Sequence, residues 1–341
     1  MAETLKSSKP RIYLWDNVKA LLIFAVVMGH FVTQYTSSSE FMRSMFLIIY
    51  SFHMPLFIFV SGLFAKSSFK GGELRTNKII SFLILYIALK LVIFFEGVAF
   101  GRSTGPFRLF YESGIPWYML AMAIFICLTY IFRNVKPLVM LIISVLLALI
   151  CGFDPGVGDI LALSRVIVFY PIFLLGYYAD GDKILQVSRK PALRIASVLV
   201  LVALVVLSFT QLDFLYQFRP LLTGRSPFSK LPILALGPVY RLIGYAVSGI
   251  ISFAVISVLP NRKNILTYVG ASTLPIYFLH RPILYVFMDA GGGKWLMHTA
   301  GSYGIYIFLA MSVVLTLILS AKPLKVPFDK LMQYKYGGFF K

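Results

Sequence analysis

Lys19 and His30 are the residues from which chemistry can be read first, set in the apolar stretch from Asn17 to His30. Eleven steps of 100° bring a helix back to within about 20° of its starting direction, so the two side chains share a face, roughly 16 Å apart along the axis. Asp16 falls within about 40° of the same stripe. A lysine at a membrane edge offers an anion-binding end, and a histidine near the middle offers a proton acceptor. Ionisable groups inside a bilayer are costly and mark functional sites.

Two further histidines reach the same depth. Counting along the apolar runs puts His30 roughly 18 Å from the inner edge, His53 some 14 Å from the outer edge and His280 about 20 Å from the inner edge. Three of the chain's four histidines thus fall near the middle of a core about 30 Å thick. His30 is the candidate base, because a desolvated imidazole is neutral and can accept a proton from an attacking hydroxyl. His53 and His280 either assist it or serve as interhelical hydrogen-bonding groups. Lys19 has two readings: a snorkelling anchor, or one wall of a cationic cup with Lys70, Arg75 and Lys78 for an anionic cytosolic ligand such as a nucleotide. Lys90 and Glu96 are polar positions in the third apolar segment, with Arg102, Arg165 or a substrate as possible partners of Glu96. Arg241 and Arg281 are candidate pore-lining charges.

The elements that must position these groups are membrane helices. The 341-residue chain is 59% hydrophobic and 13% charged, with a mean hydropathy of +0.84, against about 25% charged in a soluble domain. Ten segments can span a bilayer: 18–35, 44–64, 79–100, 116–132, 137–152, 166–179, 192–209, 237–259, 267–289 and 303–321. The expected fold class is all-α, a polytopic transmembrane helix bundle of about ten helices. With both termini cytoplasmic, 20 Lys and Arg fall inside, 8 outside and 4 within the spans, as the positive-inside rule requires. The net charge of +19 therefore reads as an orientation signal and not as a nucleic-acid surface. The basic N-terminus leads into a retained first helix, not a cleaved signal. A single membrane-embedded domain, 1–341, has short tails at about 1–15 and 322–341. Outer loops 101–115 and 210–230 either bind a substrate or simply cap the bundle. Cys127 and Cys151 read as small buried residues, with no metal site and no disulfide framework.

No P-loop, GxSxG, HExxH, paired CxxC or dinucleotide fingerprint occurs, and no acidic cluster suits a divalent metal. A base, an oxyanion stabiliser and a positioned donor suffice for metal-independent acyl transfer. The motifs resemble the acyltransferase-3 membrane family: Lys19, ten residues, then His30; Arg75-Thr-Asn-Lys78 before the third helix, lysine standing where that family has a second arginine; Phe52-His-Met-Pro-Leu-Phe-Ile-Phe-Val-Ser-Gly62; Trp117-Tyr118; Arg165 ahead of Phe169-Tyr-Pro; and Ser272-Thr-Leu-Pro-Ile-Tyr-Phe-Leu-His280. They look most similar to the fucose 4-O-acetylase-like branch.

The resemblance implies a plasma-membrane O-acyltransferase that takes acetyl from cytosolic acetyl-CoA, a substrate and not a resident cofactor, and passes it to a glycan or lipid-linked sugar. It implies His30, with His53 and His280, as catalytic. Lys19, Arg75 and Lys78 would hold the CoA phosphates, with Asp16 beside Lys19 in the same donor-binding site. Glu96, Arg165 and Trp117 would contact the acceptor. A transporter or flippase for a sugar or lipid-linked saccharide, and a silent scaffold in an export complex, are the alternatives; no internal repeat of the transporter kind is visible.

Overall fold

A computed structural model describes residues 11–70, 73–102, 105–112 and 114–336. The tail lysines Lys6, Lys9 and Lys341 lie outside the described residues. The helices are α1 (Tyr13–Val32), α2 (Glu40–Tyr50), α3 (His53–Ala65), α4 (Thr76–Ala99), α5 (Trp117–Ile131), α6 (Pro137–Ile150), α7 (Leu163–Tyr178), α8 (Gly181–Ser188), α9 (Pro191–Thr210), α10 (Leu212–Tyr216), α11 (Arg219–Leu222), α12 (Gly237–Val258), α13 (Ile265–Gly270), α14 (Thr273–Asp289), α15 (Gly292–Ala300), α16 (Gly304–Leu319) and α17 (Lys322–Gln333). A two-residue hairpin, β1 (Phe69–Lys70) against β2 (Glu73–Leu74), precedes α4. The protein is an all-α, multi-pass membrane helix bundle. Six segments are long and apolar enough to cross a bilayer by themselves, and α5, α6 and α7 are shorter apolar helices.

Loops that ten crossings would place at one end do meet there. The 105–116 loop bridges the 154–162 loop through Tyr111 and Ile160, and Arg102 reaches Asp289 at 3.4 Å. At the opposite end, Asn17 donates to the carbonyls of Pro260 and Arg262, Lys66 to Ala179 and Arg189 to Leu259. The positive-inside bias assigns this second end to the cytoplasm.

The core surrounds α1. Leu14, Val18, Leu22, Ile23 and Val27 are fully buried, and α13, α14, α16, α2 and α3 pack around it. Where α1 meets α13, a Cβ on Gly270 would strike the Asp16 carbonyl oxygen. A second close crossing joins α3 to α7: a Cβ at Gly62 would run into the Phe173 carbonyl, and one at Gly176 into that of Phe59. Small residues let membrane helices approach this closely. The outer faces are apolar instead, as lipid requires. On α9 only Ser197 and Ser208 are buried while Ile195, Leu199 and Val202 face outward, and Ser197 returns its hydroxyl to the Leu193 carbonyl.

Two expected spans are interrupted. The second breaks at Ser51–Phe52, between α2 and α3. Pro55 has no N–H to offer the Ser51 carbonyl four residues back, and that oxygen accepts the Ser248 hydroxyl of α12 at 2.5 Å instead. The ninth breaks at Ala271–Ser272 between α13 and α14. His53 therefore stands in the first turn of a helix, a placement that an unbroken span would not give.

Candidate functional site

His30, near the outer end of α1, lies on the wall of a cavity of about 810 Å³ at the outer end of the bundle. His280 of α14 stacks on it, ring centroids 5.3 Å apart and planes at 27°. Of this pair His30 alone lines the cavity; His280 is completely buried behind it. The Nδ1 of His280 lies 2.9 Å from the Ile276 carbonyl. A carbonyl only accepts, so Nδ1 carries the proton and the neutral ring keeps its lone pair on Nε2. That Nε2 is buried and has no hydrogen-bond partner among the described residues. His53 repeats the arrangement: its Nδ1 is 2.8 Å from the Ile49 carbonyl, its ring meets Tyr50 edge-on at 4.6 Å, and it lines the cavity with His30. The three histidines expected at one depth are thus grouped, two on the cavity wall and one supporting the first.

The remaining wall comes from loops far apart in sequence. Arg165, in the first turn of α7, donates to the Gly114 carbonyl at 3.2 Å and lies over the Trp117 ring at 5.1 Å. Both line the cavity, as do Arg219, Arg225, Lys230 and Arg281. Arg281 follows His280 directly. One of its terminal nitrogens reaches the His30 carbonyl at 3.5 Å and the other donates to Tyr285 at 3.0 Å. Arg225 grips Asp159 with two parallel bonds, Nε to Oδ1 at 2.7 Å and Nη2 to Oδ2 at 2.5 Å. That carboxylate holds the Arg225 guanidinium above its ordinary range. The pair ties the 223–231 loop to the 154–162 loop, which the Glu112 N–H to Asp159 carbonyl bond, 2.7 Å, joins to the 105–112 loop.

At the opposite end of the bundle, where α1 begins, a separate cleft of about 420 Å³ contains Lys19, Asp16, Arg11, Trp15 and Phe64. Lys19 pairs with Asp16 at 2.8 Å and sits 5.3 Å above the Phe64 ring. Lys78 is not in this cleft; its ammonium donates to Ser67 at 2.7 Å, just beyond the same end of α3. Arg75 is exposed ahead of α4, and Lys70 belongs to β1. Lys19, Arg75 and Lys78 therefore surround the end of α3 without sharing one pocket. The inner cleft and the outer cavity share no lining residue, and the α1 side chains between them, Leu22, Ile23, Val26 and Val27, are buried.

Glu96 is held by Arg102, itself 3.4 Å from Asp289, and it lines neither chamber. Lys90 pairs with buried Glu112 at 3.1 Å. Arg241 is buried against the Ala148 carbonyl and the Cys151 sulfur, over the Phe228 ring. It secures the end of α6, whereas Arg281, its counterpart in the sequence reading, faces the cavity. Asp159 and Tyr50 were not singled out from sequence. The one signal available was the set of outer basic residues, of which Arg165, Arg219, Arg225 and Lys230 converge here.

The sequence profile described as an acyltransferase domain matches residues 12–321, nearly the whole bundle. The chain belongs to the acyltransferase-3 family. No curated protein and no solved structure matches it. The matched range of this acyltransferase takes in Lys19, His30, His53, Arg165 and His280, and so contains both the outer cavity and the inner cleft.

Proposed function

We propose that the protein takes an acetyl group from cytosolic acetyl-CoA and transfers it to a hydroxyl of a cell-surface or exported glycan, free or lipid-linked, at the outer face of the plasma membrane. The observation that carries the reading is the placement of His30: on the wall of a roomy outward cavity, backed by His280, and on the same unbroken helix as Lys19.

The acceptor hydroxyl gives its proton to His30 as its oxygen attacks the thioester carbonyl carbon. The C–S bond breaks, and the leaving CoA thiolate takes that proton from the His30 imidazolium to depart as the thiol, which returns His30 to its neutral form. The products are the O-acetyl ester and free CoA. Donor phosphates lie at the cationic rim around the end of α3, where Lys19, Arg75 and Lys78 stand. A rise of about 16 Å from Lys19 to His30 sets the distance the thioester arm must cover, and its arrival parts the side chains packed on α1. Trp117 and Arg165 contact the acceptor.

His30→Ala, present in the membrane at the normal level, is expected to lower acetylation of the glycan and CoA release at least about a hundredfold. Activity near the wild-type level in that variant would end the proposal. A transporter would show acceptor flux without CoA release, and acetyl-CoA turnover by purified protein in detergent separates the two.

A further inference from the structure

The outer cavity carries more positive charge than a neutral sugar would require. Its wall holds five cationic side chains, Arg165, Arg219, Arg225, Lys230 and Arg281, and one carboxylate, Asp159. Those groups leave a formal charge of +4. Asp159 is already committed to Arg225. Arg219 donates to the Tyr216 hydroxyl at 3.0 Å, and Arg281 hydrogen-bonds a carbonyl and a hydroxyl while its guanidinium lies over the Tyr285 ring at 4.2 Å. Neither forms an ion pair with a described carboxylate. The Nε of Arg281 is buried without a hydrogen-bond partner among the described residues. Like charges gathered in a partly desolvated chamber repel one another, and the positive-inside rule disfavours cations at this end of a membrane protein. A forked guanidinium with unused donors matches a carboxylate or a phosphate.

We infer that the acceptor carries an anionic group, a carboxylate or a phosphate, that docks on Arg219 and Arg281 while its reacting hydroxyl faces His30. The inference rests on the acyl-transfer reading above and names its substrate class. Arg281 is bonded to the His30 backbone and adjacent in sequence to His280, so an anion held there is fixed relative to the base. Binding at a group remote from the reacting hydroxyl then orients that hydroxyl.

The test uses the full-length protein in nanodiscs of zwitterionic phosphatidylcholine with acetyl-CoA and three acceptors: methyl β-glucuronide, glucose 1-phosphate and methyl β-glucoside. CoA release and acetylated product are measured, and tryptophan fluorescence is titrated with each acceptor in the absence of donor, since Trp117 lines the cavity. At least one anionic acceptor is expected to exceed the glucoside tenfold or more in kcat/KM, and the better of the two identifies a carboxylate or a phosphate. Arg219→Gln and Arg281→Gln should each reduce that ratio to below about threefold, and added salt should narrow it. Equal use of all three overturns the inference while leaving acyl transfer intact. A higher KM for acetyl-CoA in Arg219→Gln, with the acceptor ratio unchanged, overturns it by placing the donor phosphates in this cavity. If no acceptor is acetylated, acyl transfer to such hydroxyls fails by itself. The titration then decides: anion-selective quenching that Arg281→Gln removes upholds the anion site, and unselective quenching or none rejects it.

Discussion

His30 and His280 lie ring against ring at 5.3 Å, yet only His30 reaches the cavity, and His280 is anchored to the Ile276 carbonyl. The two imidazoles therefore have unequal parts. His30→Ala should lower kcat by about 10²- to 10⁴-fold, the usual contribution of a general base. The acid limb of the pH–rate profile, where the base is protonated and idle, should vanish from its residual activity. His280→Gln should lower kcat by about tenfold with the acceptor KM nearly unchanged and the acid limb displaced, because it positions the base without touching substrate.

Lys19 is held by Asp16 at 2.8 Å beside Phe64. If the donor phosphates rest there, Lys19→Ala raises the acetyl-CoA KM about three- to tenfold and Lys19→Arg largely restores it. Steady-state kinetics at saturating acceptor would check this. An unchanged KM would leave Lys19 as an anchor and His30 as the base.

Asn17 fastens the N-terminal end of α1. Its amide nitrogen donates to the Pro260 and Arg262 carbonyls at 2.8 and 3.0 Å, and its oxygen accepts the Thr267 hydroxyl. Asn17→Asp puts a carboxylate against two carbonyl oxygens in a fully buried position. A loss of about 3 kcal/mol or more is expected, read as a lower Tm in detergent, with Asn17→Ala less damaging.

Gly176 faces the Phe59 carbonyl at the α3–α7 crossing, where a side chain has no room. Gly176→Ala should cost about 1–3 kcal/mol through separation of the two helices, and Gly176→Leu should prevent assembly. Thermal unfolding of the two purified variants, compared with Gly244→Ala, where a Cβ meets nothing, tests the point.

The Arg225–Asp159 fork joins two outer loops across 66 residues of sequence. Because Arg225 is substantially solvent-exposed, Asp159→Asn should lower global stability by only about 1 kcal/mol, while protease cleavage within 223–231 speeds up. Arg225→Lys should not restore protection, since one ammonium cannot make both bonds.

Much of this was legible in the chain because apolar runs and helical spacing are local properties. All ten spans coincide with helices, and the shared depth of His30, His53 and His280 follows from counting residues along them. The breaks at Ser51 and Ala271 were not legible: the first depends on a hydroxyl from α12 capturing a freed carbonyl, a partner nearly two hundred residues away. Lys19, Arg75 and Lys78 stand around one end of α3 without lining one pocket, because like charges before and after a helix can share a membrane side while their side chains follow different neighbours.

The sequence by itself determined a membrane bundle and the helix that carries both Lys19 and His30, since a bilayer imposes length and polarity on every crossing segment. Only the tertiary structure decided that His280 backs His30, that Glu96 is occupied by Arg102, and that arginines from separate outer loops converge beside the base. Those relationships depend on how helices pack and loops fold back, and no periodicity within one segment encodes its neighbour.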